Sequence, residues 1–364
     1  MMIKTTIYSL LLGLLVACSQ SRDARLLWSQ SLYQIGSQSS PKTTDLNGDG
    51  VLDIVMGAGT EEIAPTDYGV VALDGKSGEL LWQQDATASI VGSATFYDIT
   101  GDGVNDVLIG GRNHNLMALN GTNGEFIWKY EYKFKDDSIL QYARYNFYNS
   151  TLVPDQNNDG YPDLLTVNGG NWDALPGSTD DRFPGVLMLF DLQSGNILAA
   201  DTMPDGQESY MSPLCFTQPG SEEATVIFGT GGETAGGNLY QTTLADLKVR
   251  KIKNATVLAS EETHGFIAPP VIADITQDGY LDIIVASHAS QVHAINGNTL
   301  ETIWNRSFPQ MECSNGFAVG QFTGDNTPDF LAIMSQGTWP DYTIATQVVL
   351  NGKDGSIAYK DSIG

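Results

Sequence analysis

Short apolar runs, each too brief for a helix, recur along the chain and are separated by Gly-, Asn- and Asp-rich turns. Ile54-Val55-Met56-Gly57, Val107-Leu108-Ile109-Gly110, Leu164-Leu165-Thr166-Val167, Ile283-Ile284-Val285 and Phe330-Leu331-Ala332-Ile333 read as buried strands. Thr225-Val226-Ile227-Phe228-Gly229 falls in the same frame. After each comes an alternating run, as in Gly69-Val70-Val71-Ala72-Leu73, Leu116-Met117-Ala118-Leu119, Val186 to Phe190, Val292 to Ile295 and Val348 to Leu350. A tight turn rich in Gly and Asn follows, supplying the positive-φ positions that hairpins need. A last strand then closes the unit, ending on Trp82, Trp128 or Trp304. With a leading strand such as Ser93 to Tyr97, each unit has four strands, here a to d.

An acidic loop of nine residues stands between strands a and b. Asp45, Asn47, Asp49 and Asp53 occupy positions one, three, five and nine of the first loop, with Gly50 at six. Asp98, Thr100, Asp102 and Asp106 repeat this, as do Asp155, Asn157, Asp159 and Asp163, and Asp274, Thr276, Asp278 and Asp282. Alternating oxygens around a Gly turn suit a hard cation, as in the front half of an EF-hand loop, but the segment that follows is a strand. Three carboxylates so close repel one another, and a bound Ca²⁺ relieves that. The spacing predicts four Ca²⁺ sites of structural kind. A fifth loop keeps only Asp325 and Asp329 and has lost the Gly, so its occupancy is an even choice. The repeats start 53, 57, 119 (two repeats) and 47 residues apart, which makes six. Four strands in ~40–50 residues is the period of a β-propeller blade, so the fold class is all-β, a six- or incomplete seven-bladed propeller over residues 26–364.

Leu26-Leu27-Trp28 resembles a spare strand d, of the kind that completes a last blade. The sixth repeat already has a candidate d at Ser356 to Tyr359, and Ser362-Ile363-Gly364 resembles Ser89 to Gly92, the opening of a strand a. A seventh blade would begin there.

Ahead of the repeats, Lys4 and the apolar run Ile7 to Val16 form a targeting segment too short to span a bilayer. It ends Leu15-Val16-Ala17-Cys18, which looks like a bacterial lipobox: residues 1–17 are a signal peptide, Cys18 carries the lipid and residues 18–25 are a tether. By resemblance to Gram-negative lipoproteins, Ser19 after the Cys implies the outer membrane, so the expected contact with the membrane is the lipid anchor alone. Cys215 and Cys313 fall in repeats four and six and are expected to remain thiols, although an oxidising compartment permits a bridge. The net charge is −25, which excludes nucleic acid as partner, since phosphates would find nothing to neutralise them. Twelve of the 43 acids lie in the four intact loops, so part of that excess reads as cation capacity.

The acidic loop with its trailing strand resembles the FG-GAP (VCBS) repeats of integrin α-type propellers, and the stretch from Val70 to Trp82 resembles the blade motif of PQQ-like propellers. The resemblance covers nearly all of residues 26–364 and implies a propeller with Ca²⁺ in its a–b loops. Some PQQ-like propeller lipoproteins are envelope assembly factors.

Antiparallel order puts the acidic loops and c–d turns at one end, and the b–c and d–a connections at the other. Length variation concentrates at the second end, in 57–69, 130–148, 168–185 and 335–347. Aromatic residues crowd there, and Trp172, Trp339, Tyr342 and Tyr145 are candidate ligand contacts. Packing of these rings on one another is the more ordinary reading. His114, His264, His288 and His293 show no metal spacing, and His114 and His288 read as plain polar loop residues. No nucleophile elbow or phosphate-cradling loop occurs. The leading expectation is a module without catalysis that binds a protein or a glycan through its loop-rich end. The alternatives are a polysaccharide lyase, a quinone-type oxidoreductase, or an envelope assembly factor.

Overall fold

In a computed structural model, the structure describes residues 26–175, 177–338 and 341–363. The expected signal peptide, Cys18 and Trp339 lie outside the described residues. Six antiparallel sheets follow one another, and in each the a–b–c–d strands of one repeat are neighbours in chain order. They occupy residues 42–86, 95–129, 146–202, 214–261, 271–307 and 311–363. Sheets three and six each gain a short extra strand, Asn146–Phe147 and Met311–Glu312. The fourth repeat, which has no acidic loop, forms its sheet in the same frame.

Consecutive sheets pack face to face. Separate apolar clusters join sheets one and two, two and three, three and four, four and five, and five and six. Among the described residues no cluster joins six to one; the free face of sheet one is covered by Leu32 and Ile35.

A β-bulge recurs where strand d leaves its turn, in all six sheets. In sheet one Ala72 faces Trp82 and Leu73 faces Leu80, which leaves Leu81 unpaired. The extra residue twists the strand and aims its Trp at the next sheet. Trp82 donates to the Gly121 carbonyl (2.7 Å), Trp128 to Leu192 (2.8 Å) and Trp304 to Gly352 (2.8 Å). Each ring lies on a turn glycine, Gly124, Gly195 or Gly355; a Cβ there would sit within 2.6 Å of the indole, and φ is near +70° at all three. Sheet three has Ala199 at this position, and the helix Leu244–Lys248 of sheet four fills the space with Leu244 and Leu247.

Trp28 docks on sheet one in the same way, donating to Gly75 (2.9 Å) and lying on Gly78. Its segment belongs to no sheet among the described residues. Two expectations need correction. Ser362 and Ile363 do not open a new strand a. They continue strand d of sheet six, Ile357–Ile363, because the ten-residue strand Asp341–Leu350 offers partners as far as Ala345. The 335–347 connection is likewise no long loop: strands b and c extend to Thr338 and from Asp341 and pair as a hairpin.

Candidate functional site at the loop-rich end

The acidic loops lie at the other end and share one geometry. The first Asp accepts the sixth residue's amide: Asp45 from Gly50 (3.0 Å), Asp98 from Gly103 (3.0 Å), Asp155 from Gly160 (2.9 Å), Asp274 from Gly279 (3.0 Å). The glycines hold φ between +82° and +91°, and Asn326 replaces them in sheet six at +66°. The fifth residue, Asp49, Asp102, Asp159 or Asp278, accepts from the seventh. Positions one, three and five thus gather at an exposed tip, while Asp53, Asp106, Asp163, Asp282 and Asp329 are fully buried. Four of these ninth residues hold two backbone elements together; Asp53, for example, accepts from Leu46 (2.8 Å) and Gly75 (2.9 Å). In Asp163, Oδ2 accepts from Gln156 and the buried Oδ1 has no partner among the described residues. The structure adds turn residues that spacing did not reveal. Asp74 accepts from Asn47 and Asp191 from Asn157, which places a further carboxylate beside two loops. Among the described residues, no three His, Cys, Asp or Glu side chains form a metal-holding group by themselves.

At the opposite end the sheets interlock through backbone hydrogen bonds. Ile90 donates to Ala58, Phe147 to Gly111, Phe266 to Thr230 and Cys313 to His288, each at 2.9–3.0 Å. Each bond ties the residue after strand b to the approach to the next sheet. Polar side chains from these positions form a buried cluster that no motif announces. Arg182 Nη1 donates to both oxygens of Glu208 (3.1 and 3.2 Å) and to Tyr210 (3.0 Å). Glu208 is wholly buried. Burial pushes its carboxyl up and Arg182 opposes this. Tyr210 packs on Tyr148, with centroids 5.8 Å apart, and burial pushes the Tyr148 hydroxyl up to about 12. Gly170 and Gly232 make room: a Cβ on either would lie within 2.7 Å of the Tyr210 ring.

Around the same end, His288 is buried with Nε2 3.3 Å from Glu312 and Nδ1 3.2 Å from Ser314. Burial drives its pKa below the ordinary value, against the pull of Glu312 and with the push of His264, whose ring is 5.8 Å away. Burial thus favours the neutral imidazole, which weakens the contact with Glu312 as an ion pair. Tyr342 donates to Glu312 (2.6 Å). Glu233 is open to solvent, yet its pKa is raised by the protein around it and then by Glu312, while Arg112 and Arg182 lower it. Arg112 pairs with Glu62 at 2.8 Å.

Of the four candidate ligand aromatics, Tyr145 is buried, stacked on Phe183 at 6.0 Å and under Arg144. It orders the long connections. Trp172 is half-buried and its Nε1 has no hydrogen-bond partner among the described residues. Tyr342 is partly exposed and joins the cluster. His288 proves to be a buried, structured residue and not a plain loop polar. His293 is half-buried in strand c and pairs with Glu261 at 3.0 Å. Arg112, Arg182, Glu208, Glu233 and Glu312 were missed, because residues so far apart in sequence meet only when the sheets are stacked. Their one sequence signal is that Arg182 is a cation on the long 168–185 connection, in a chain with 18 Lys and Arg; Arg112 sits on the short 111–115 link and carries no such signal.

Residues 5–208, more than half of the 364, match the family model described as outer membrane protein assembly factor BamB. The chain belongs to this family of PQQ-type propellers. Residues 274–332 match an FG-GAP-like repeat, so both repeat types meet in one chain. No curated protein matches. Among solved structures, the quinohemoprotein alcohol dehydrogenases of Pseudomonas putida (TM-score 0.57, 10% identity, 93% of this chain) and Comamonas testosteroni (0.54, 10%, 90%) share the fold. The chain spans 62% and 61% of their lengths. BamB from Moraxella catarrhalis aligns over 87% of this chain and 74% of its own, at 12% identity and TM-score 0.48.

Membership in an envelope family sharpens one question, the state of the cysteines. Cys215 and Cys313 are both free. Burial pushes the half-buried Cys215 thiol up to about 11 and raises that of Cys313, which is fully buried. The thiolate is the reactive form. Neither thiol is expected to react quickly with Ellman's reagent at pH 8, and both should after denaturation. Fast labelling of Cys313 in native buffer would contradict this packing.

Proposed function

We propose that this chain is a non-catalytic, protein-binding propeller of the bacterial outer membrane, held by a lipid on Cys18 and serving envelope assembly. The match to the assembly-factor family over residues 5–208 carries the reading. The loop-rich end supports it. Arg182 is paired with Glu208 and Arg112 with Glu62, and the buried His288 is held between Glu312 and Ser314. Arg112, Glu233 and Tyr342 reach solvent around that buried base, as an interface with a polar rim requires. A protein partner is favoured over a glycan, because Tyr145 is buried and the Tyr342 hydroxyl is held by Glu312. Among the described residues no helix is long and apolar enough to cross a membrane.

The acidic loops would hold Ca²⁺. Their donors are all oxygens, their glycines adopt the turn such loops need, and Asp163 keeps one buried oxygen without a partner. Asp45, Asn47, Asp49 and Asp74 would serve in sheet one, and Asp155, Asn157, Asp159 and Asp191 in sheet three. The ion would neutralise the loop and tie it to the c–d turn.

A photo-crosslinker at position 233 tests the partner reading in the envelope of the source bacterium. Adducts with outer-membrane barrel-assembly proteins are expected, weakened by Arg112→Ala. Adducts absent at 233 but present with the probe at the acidic loops would place the interface at the other end. The shared fold of the alcohol dehydrogenases favours a second reading, an oxidoreductase. The chain has no adjacent cysteine pair. Quinone absorbance in the purified protein together with alcohol-dependent dye reduction would replace the first reading with the second.

A further inference from the structure

Cations are scarce in this chain and unevenly placed. Of 18 Lys and Arg residues, three fall in 129–135 and four in 248–253, seven within two short segments. The fold brings the segments together. A cleft of about 560 Å³ opens between the connection leaving sheet two and the outer strand of sheet three, Ile197–Thr202, and is lined by Lys129, Lys133 and Arg250. Phe134, Leu140 and Leu198 add apolar lining. Glu131 also lines it, and Asp137 lies close enough to feel Arg250, so the cations are in excess but not alone. All seven cations are exposed. Arg250 holds φ +57°, a left-handed conformation uncommon for a residue other than Gly or Asn, on the turn that brings it to the cleft. Exposed apolar side chains flank the opening: Val249 is 57% and Leu198 36% accessible.

We infer that this cleft binds an anionic amphiphile, a phosphate or carboxylate head carried on an acyl chain. The volume is that of a small-ligand site. An acyl stem would cover Leu140 and Leu198, and the head would sit with Lys133 and Arg250, which line the same cleft from segments far apart in the sequence. In a chain with 43 acids against 18 Lys and Arg, such an island of cations also selects by sign. An acidic peptide fits less well, because Phe134, Leu140 and Leu198 share the lining with the cations. The inference is independent of the partner bound at the loop-rich end.

Titration of the full chain with dihexanoyl-phosphatidylglycerol, below its micelle threshold, tests this. Binding is expected to be at least tenfold tighter than for dihexanoyl-phosphatidylcholine and to weaken with salt. Lys133→Glu and Arg250→Glu should each lose tenfold or more, while Lys353→Glu, a cation outside the cleft, should bind as the parent does. Melting curves of the variants confirm that they fold. Phosphatidylglycerol vesicles form the second arm: binding to both forms makes a bilayer the source, and binding to the short lipid alone makes it a free molecule. Either outcome supports the site. Equal binding of both headgroups, unchanged affinity in the two charge-reversal variants, or binding of polyglutamate without the short lipid would each overturn it.

Discussion

Adding calcium to the metal-stripped chain raises its melting temperature, and chelator reverses the gain. A site that binds only the folded state contributes RT ln(1 + [L]/Kd), or ~2.7 kcal/mol at a hundredfold excess over Kd. At a few degrees per kcal/mol or less for a chain of this size, each occupied loop is worth several degrees. The physical source is the exposed tip, where the first and fifth Asp of each intact loop bond the loop's own amides within a nine-residue turn and where Asp74 and Asp191 add charge in sheets one and three. Asp102→Ala should remove about one site's share and leave the others responsive. Asp53→Asn should differ in kind: Asp53 is buried and joins Leu46 to Gly75, so its loss destabilises with or without calcium. A scanning calorimetry trace unchanged by excess chelator would end the proposal of filled loops.

Glu208→Ala is expected to cost about 3–5 kcal/mol, since it strands the Arg182 guanidinium in a site where its side chain is 11% accessible. The test is chemical denaturation of the single variant beside the double variant Glu208→Leu with Arg182→Met. Removing both charges should recover most of the loss, because a buried pair replaced by apolar residues is often neutral. A single variant within 1 kcal/mol of the parent would show that water reaches the pair. If the double variant is as unstable as the single, the Tyr210 hydroxyl, left without the Arg182 donor, is the costlier orphan.

Much of the architecture was legible in the chain before any coordinates. A strand of four to six apolar residues needs no tertiary help to be recognised when the same turn chemistry surrounds it each time. The glycines at positions 50, 103, 160 and 279 turned out to hold the left-handed backbone their loops demand. The Trp spacing was readable too, and the indoles dock as blade-to-blade contacts. Where the reading failed, the cause was length. The 335–347 stretch has few apolar residues, which is the pattern of a loop, but two strands of ten residues pair through it. Ser362 and Ile363 joined a neighbouring strand that is longer in sheet six than elsewhere.

The amino-acid order by itself determined the repeating sheet, the acidic turn and the docking Trp, because each depends on residues within about ten positions of one another and recurs along the chain. Only the tertiary structure decided which side chains share the loop-rich end. Arg182 and Glu208, or His288 and Glu312, come from different repeats and occur once each, so no period marks them. Their meeting depends on how successive sheets stack and interlock through the Gly111 and Thr230 carbonyls, and stacking is a property of the whole assembly that local spacing does not encode.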